Sequence, residues 1–360
     1  MERFSCKTEI ISGAGAVSAL ETLGIRRLFL VTDPYFYENG LASSIAACAH
    51  AETTEIFHAV QPDPSVSLAA EGTAALKRFA PDTIVALGGG SAMDCAKAMA
   101  YFAEQPLRLI AIPTTSGSGS EVTDFSILTH DGIKHPLVDS RVRPDIAILD
   151  SELLQKLPRT LIADSGFDVL SHALEALVAK NAGVITDALA IDSFCRAYHL
   201  LSDSYRGDVA VRLSVHQAAT MAGMAFTQAG LGICHALSHA LGGTFHVPHG
   251  RLNAILLPAV LDANAPQAAQ KYAVLAQRAG LGSSAHTIAL RNLKNGLVRL
   301  RKELNLPASL AQAGIPLSQL RQQLPDIIHA AMEDPCSQTN PVLPTPGMLQ
   351  QVVEAVMGHG

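Results

Sequence analysis

Over its first 150 residues the chain alternates short apolar runs with segments whose apolar positions recur at helical spacing. Residues 9–12, 28–32, 53–59, 83–87, 107–112 and 146–149 read as strands. Residues 16–23, 38–49, 66–79 and 92–102 read as helices, the third with Ser65 as N-cap. Residues 125–129 and 135–138 have the pattern of a short hairpin. The runs at 83–87 and 107–112 are almost wholly apolar, as strands covered on both faces are, so the pattern predicts a parallel sheet flanked by helices. After Leu157-Pro158 the texture changes. No strand pattern follows, and helical spacing recurs at 161–180, 184–203, 208–228, 233–244, 250–263, 268–279, 286–303 and 346–357. Residues 334–346, with four prolines, read as a loop. The expected organisation is an α/β domain over 1–157 and an all-helical domain over 158–360.

One stretch breaks the amphipathic rhythm. Residues 213–250 hold no Asp, Glu, Lys or Arg, yet they hold five histidines, His216, His235, His239, His246 and His249. An uncharged run of this length implies burial, and buried histidines need a hydrogen-bond partner or a metal. Residues 218–234 are the one candidate membrane segment. They are short for a span, contain Gln228 and run into His235, so a buried helix is expected instead.

Composition narrows the function. The chain is 48% hydrophobic and 16% charged with a formal net charge of −6, which fits a globular enzyme and argues against nucleic-acid binding. Six scattered cysteines form no CxxC pair and read as reduced thiols. The first ten residues lack an apolar signal core, so a cytoplasmic protein is expected.

Two turns carry ligand chemistry. Gly88-Gly89-Gly90-Ser91 joins a strand to a helix, where glycine allows a sharp turn and the helix start offers free N–H donors and a positive dipole end. That is a pyrophosphate site, although the spacing is not GxGxxG; the competing reading is a tight turn without a ligand. The run PTTSGSGSE at 113–121 also follows a strand, and loops at the carboxyl ends of neighbouring strands can cradle a dinucleotide. Asp33 ends a third strand. Its carboxylate would accept from ribose hydroxyls and repel a 2′-phosphate, favouring NAD over NADP, or it is simply an Asp-Pro turn former.

A metal constellation lies further along. His235 and His239 are i, i+4, as are Asp168 and His172, so each pair shares a helix face. His249 follows in a Val-Pro-His-Gly loop. These groups can converge on one divalent ion, and imidazole with carboxylate suits Fe(II), Zn(II), Co(II) or Mn(II). Each histidine alone is more often a satisfied core residue; the joint pattern in an uncharged region changes that. His216 and His246 fit no pair and are expected to pack or to line a pocket.

Together the motifs GGGSAMDCAK at 88–97, PTTSGSGSEVT at 113–123, GFDVLSHALEA at 166–176 and GICHALSHALGGTFHVPHG at 232–250 resemble the iron-dependent (group III) alcohol dehydrogenases across essentially the whole chain. Within that family the chain looks most like the 1-propanol and ethanol dehydrogenases of propanediol and ethanolamine utilisation. The resemblance implies a dehydroquinate synthase-like fold, with an α/β dinucleotide domain, an all-α metal domain and a site in the cleft between them. It implies Asp168, His172, His235 and His249 as ligands of one divalent metal, iron before zinc, with His239 one turn on near the substrate, where it is the candidate proton relay or else only orients its neighbours. It also implies that NAD(H) meets Gly88, Gly89, Gly90 and Ser91, with Thr114, Thr115 and Lys134 near the nicotinamide half. Asp94 and Ser118, from the same motifs, join this cofactor set. Asp63 stands where several relatives carry Asn, which alters the contacts expected to the adenosine half.

The activity so implied is hydride transfer between NAD(H) and a short primary alcohol or aldehyde, such as propanal or acetaldehyde. The alternatives are a lactaldehyde or diol dehydrogenase, or a dehydroquinate synthase-like lyase. The lyase would need several basic side chains for a phosphorylated acid, and the 213–250 run has none. A non-catalytic scaffold would bind no cofactor. The resemblance further implies a homodimer. Residence with the other enzymes of a bacterial microcompartment is a further expectation, although residues 4–12 read as strand rather than as a separate encapsulation helix.

Overall fold

Six parallel strands form the sheet: β1 (Glu9–Gly13), β2 (Arg27–Val31), β3 (Thr53–Phe57), β4 (Thr83–Gly88), β5 (Arg108–Pro113) and β8 (Ile146–Asp150). Their order is β1-β8-β5-β4-β2-β3, and β6 (Phe125–His130) and β7 (Ile133–Val138) make a separate antiparallel hairpin. This computed structural model describes residues 4–130 and 133–358.

Strand alternation divides the core between the two faces of the sheet. Leu28, Leu30, Val85, Leu87, Ile110 and Ile112 point to one face, where Ala42 and Ile45 of α2 (Leu41–Cys48) cover them. Phe29, Val31, Ile84, Ala86, Leu109 and Ala111 point to the other, against Leu76 of α3 (Val66–Phe79) and Met93 and Met99 of α4 (Gly90–Ala103). Ser65 caps α3, its hydroxyl accepting from Leu68 N at 3.1 Å. The 16–23 segment is a 3-10 helix (Ala16–Thr22), and the expected 38–49 helix is α2, which Gly40, at φ 83, separates from a short α1 (Pro34–Glu38).

Residues 5–157 form one compact unit, and the chain from residue 158 onward forms another. Among the described residues the second is all helix: α5 (Arg159–Val178), α6 (Val184–Arg206), α7 (Arg212–Ala229), α8 (Ile233–Phe245), α9 (His249–Arg278), α10 (His286–Glu303), α11 (Leu317–Glu333), α12 (Pro335–Thr339) and α13 (Pro346–Val356). The pattern misses three features here. The 250–263 and 268–279 segments are one helix, α9, running through Pro258 and Pro266. An interior proline costs about 3 kcal/mol, which the burial of Leu256, Leu257, Val260, Leu261 and Tyr272 on that helix offsets. The periodicity of α11 is masked by Pro325 at its centre. The expected 334–346 loop opens with a short helix, α12, whose cap is Asp334. Among the described residues no helix is long and apolar enough to cross a membrane. The 218–234 segment is the end of α7, a turn at Gly230 (φ 86) and the start of α8.

Candidate metal centre and cofactor turns

Three helix starts and faces in the second unit meet at one carboxylate oxygen. Asp168 and His172 lie on the buried face of α5, His235 on the first turn of α8, and His249 is the first residue of α9 rather than part of a loop. Asp168 Oδ1 stands 3.4 Å from His249 Nε2, 3.7 Å from His235 Nε2 and 3.9 Å from His172 Nε2. The imidazole ring of His172 is stacked between Phe226 of α7, at 4.4 Å, and His235, at 4.5 Å.

The spacing fits an ion rather than direct hydrogen bonds. Donors about 2.0–2.1 Å from a shared tetrahedral metal lie about 3.3 Å from one another, close to the 3.4–3.9 Å separations around Asp168 Oδ1. His235 Nε2 is buried with no hydrogen-bond partner, while its other nitrogen, Nδ1, meets Glu175 Oε2 at 2.5 Å. Asp168, His235 and His249 offer ligand atoms within 4.8 Å of one another, and His172 stands beside them, 3.9 Å from Asp168 Oδ1; nitrogen and oxygen donors with no thiolate among them suit Fe(II) and Zn(II) alike.

Electrostatics prepare the same place. Burial pushes the Asp168 carboxyl up, but His172, His249 and His235 together hold it well below the usual carboxylate range. Burial pulls His235 down, yet Asp168 and Glu175 on either side push it up to about 9. His249 is held well below the ordinary range, first by burial and then by the neighbouring imidazoles, against the pull of Asp168. The two carboxylates therefore favour a positive charge at His235, whether a proton or a divalent cation.

Three supporting side chains escape the sequence reading. Glu175, only 1% exposed, accepts from Cys234 N at 2.7 Å with Oε1 while Oε2 holds His235. It lies one and two turns along α5 from His172 and Asp168, so the face was visible even though the role was not. Asn253, four residues after His249, donates through Nδ2 to Asp168 Oδ1 at 2.9 Å and sits 3.1 Å from His249 Nε2. Asp334 meets His239 Nδ1 at 2.8 Å from 95 residues away, a separation that leaves no local signal.

His239 stands beside the cluster rather than in it. Its ring stacks on His249 at 5.0 Å and lies 6.2 Å from His235. Burial pushes Asp334 up, but the bond to His239 brings it down to about 2, so it is a carboxylate and His239 Nδ1 is the donor. With Cys336, His239 and Asp334 form a second set of donors within 4.8 Å of one another. Of the remaining histidines, His216 is buried in α7 and His246 ends α8 in the left-handed region at φ 56.

In the first unit, three predicted elements fall at the carboxyl ends of three neighbouring inner strands of the sheet. Asp33 follows β2, Gly88–Ser91 closes β4, and Thr114–Ser118 follows β5. The chain order turns back between β2 and β4, which is where open parallel sheets bind ligands. Gly88, at φ 149, could not hold a side chain: a Cβ there would lie 2.7 Å from Ala92 Cβ. Asp33 caps α1 through Oδ1, at 3.1 Å from Phe36 N, and its Oδ2 lies 3.8 Å from that same Gly88 position. The capping and ligand-facing readings of Asp33 are thus compatible, one oxygen for each. Gly89, the N-cap of α4, carries no side chain, and with Gly90 it leaves the helix start open for close approach of a phosphate. Cβ atoms at Gly89 and Gly90 would come within 3.3 Å of Thr115 Oγ1 and 3.4 Å of Ser118, so the two turns pack directly on one another. Thr114 is buried, Ser91 is half-buried, and Lys134 is ion-paired with Asp63 at 2.8 Å. Asp94 is turned toward Ser120, whose hydroxyl donates to its Oδ1 at 3.0 Å.

Family models match both halves of the chain. Residues 7–151 match the family model of iron-containing alcohol dehydrogenases, and residues 162–357 match that of the C-terminal part of the Fe-containing alcohol dehydrogenase family. The chain is 37% identical to the 1-propanol dehydrogenase of Citrobacter freundii, over 99% of this chain and 100% of that one. It is 34% identical to an NADPH-dependent butanol dehydrogenase of Clostridium saccharobutylicum, over 99% and 98%. Among solved structures it is similar to an iron-containing alcohol dehydrogenase from Thermococcus thioreducens, with a TM-score of 0.91 and 32% identity over 99% of this chain and 100% of that one. It is likewise similar to a 1,3-propanediol oxidoreductase, with a TM-score of 0.93 and 27% identity over the same shares.

Proposed function

The chain belongs to the iron-containing alcohol dehydrogenase family and is an alcohol–aldehyde oxidoreductase. From that premise we propose that it reduces short primary aldehydes, propanal foremost, with NADH and a single Fe(II) held by Asp168, His172, His235 and His249. The observation that carries this reading is the convergence of three imidazole nitrogens on Asp168 Oδ1 at 3.4–3.9 Å. Short-chain substrates are supported by relatives named for 1-propanol and butanol. NADH before NADPH is supported by Asp33, whose negative charge beside Gly88 would oppose a 2′-phosphate.

When bound, the ion supplies Lewis acidity at the substrate oxygen and the nicotinamide supplies the hydride. The chain's own residues do the rest. Glu175 keeps the proton of His235 on Nδ1 and so leaves Nε2 as the donor nitrogen. Asn253 donates to Asp168 Oδ1 and fixes the carboxylate. Asp334 holds the Nδ1–H of His239, which frees Nε2 to pass a proton to the oxygen of the nascent alcohol. The 213–250 run itself brings no formally charged side chain to the ion.

The test is NADH oxidation with a panel of short aldehydes after loading with Fe(II) or Zn(II). Turnover with propanal and a lower kcat/KM for NADPH are expected. No turnover with any short aldehyde under either metal would rule the proposal out.

A further inference from the structure

We propose that Lys97 is a positioning residue for the cofactor, its buried ammonium fastening the second turn, 113–121, to the helix that carries the first. This rests on the reading that the two turns hold the nicotinamide cofactor.

Lys97 lies in the middle of α4 and is only 1% exposed. An ammonium so placed is costly unless oxygen acceptors surround it. Four share its three N–H bonds: Ser120 Oγ lies 3.0 Å from Nζ, Thr123 Oγ1 2.9 Å, Thr123 O 3.1 Å and Phe125 O 2.9 Å. Ser120 Oγ in turn donates to Asp94 Oδ1 at 3.0 Å, and Ser126 Oγ donates to the Asp94 carbonyl at 2.8 Å. Asp94 and Lys97 are i, i+3 on one face of α4, so that face binds the whole 120–126 segment.

This segment is where the second turn ends, and the start of the same turn packs on Gly89 and Gly90 at the head of α4. Helix α4 therefore grips the turn at both ends, by contact at the glycines and by charge at Lys97. Burial pulls the Lys97 ammonium down to about 8 despite Asp94 and Glu121, and burial pushes Asp94 up to about 6 despite Lys97. Each charge is tolerated because the other is near, so removing one frees the segment and strands its partner. A lysine retained here solely for packing would be served as well by methionine, which fills similar space without the desolvation cost.

The experiment is titration of metal-loaded protein with NADH, followed by the fluorescence of the cofactor, for wild type, Lys97→Met and Ser120→Ala. Losing hydrogen bonds to a charged group should raise the NADH Kd about tenfold in Lys97→Met, and losing one link should raise it about fivefold in Ser120→Ala. The KM for aldehyde should stay within about twofold, because the metal ligands are untouched. Amide exchange should quicken over 113–125 and not over α5. A folded Lys97→Met protein with wild-type NADH affinity overturns the inference. Should that variant fail to fold, wild-type affinity in Ser120→Ala overturns it equally. A wild type that binds no NADH overturns the cofactor reading underneath, and this inference with it.

Discussion

Glu175 does two things with two oxygens: Oε1 caps the first turn of α8 at Cys234 N, and Oε2 orients the ring of His235. A carboxylate at a helix N-terminus is favoured by the helix dipole, so the same charge fixes both a helix and a ligand. Glu175→Gln keeps the shape and loses the charge. Metal affinity should fall about 10- to 100-fold, measured by competition with a chelator; unchanged affinity would remove Glu175 from this role. The pKa of His235, pushed up to about 9, adds a pH dependence. Below that value a proton occupies the ring and must leave as the metal binds, whereas the depressed Asp168 adds none. Apparent affinity should thus rise at least about tenfold per pH unit from pH 6.5 to 8, and a flat profile would contradict the assignment. At this scale the convergence of Asp168, His172, His235 and His249 is legible in i, i+4 spacing and the absence of other charge. Asn253 and Asp334 are not, because their contacts depend on how helices distant in sequence pack.

At the scale of elements, α9 matters most, because its first residue is His249. It approaches α5 so closely that a Cβ at Gly250 would lie 1.9 Å from Asp164 O. The glycine of Val-Pro-His-Gly is therefore what lets two backbones touch and brings His249 to within 3.4 Å of Asp168. Gly250→Ala should destabilise the fold by about 1–3 kcal/mol in urea titration and weaken metal binding as well. A variant of wild-type stability and affinity would show that the two helices can part freely. The parallel sheet is legible because β4 and β5 are almost wholly apolar runs that end in glycine-bearing turns. The continuity of α9 and the existence of α11 are not, since Pro258, Pro266 and Pro325 give local signals that tertiary burial overrides.

For the whole molecule, the family membership and the fold agree on an oxidoreductase, and the function proposed above divides its chemistry between two compact units. The first brings three turns to the carboxyl ends of neighbouring inner strands; the second gathers nitrogen donors around one carboxylate oxygen. The second unit also contains the softer set His239, Asp334 and Cys336, whereas the proposed function needs the ion at Asp168, His172, His235 and His249. X-ray absorption at the iron edge, on protein holding one equivalent of Fe(II), separates the two sets directly. Nitrogen and oxygen neighbours alone are expected, with the multiple-scattering signature of imidazole and metal–ligand distances of about 2.0–2.2 Å. A sulfur neighbour at about 2.3 Å would place the metal at Cys336 and contradict the proposed function.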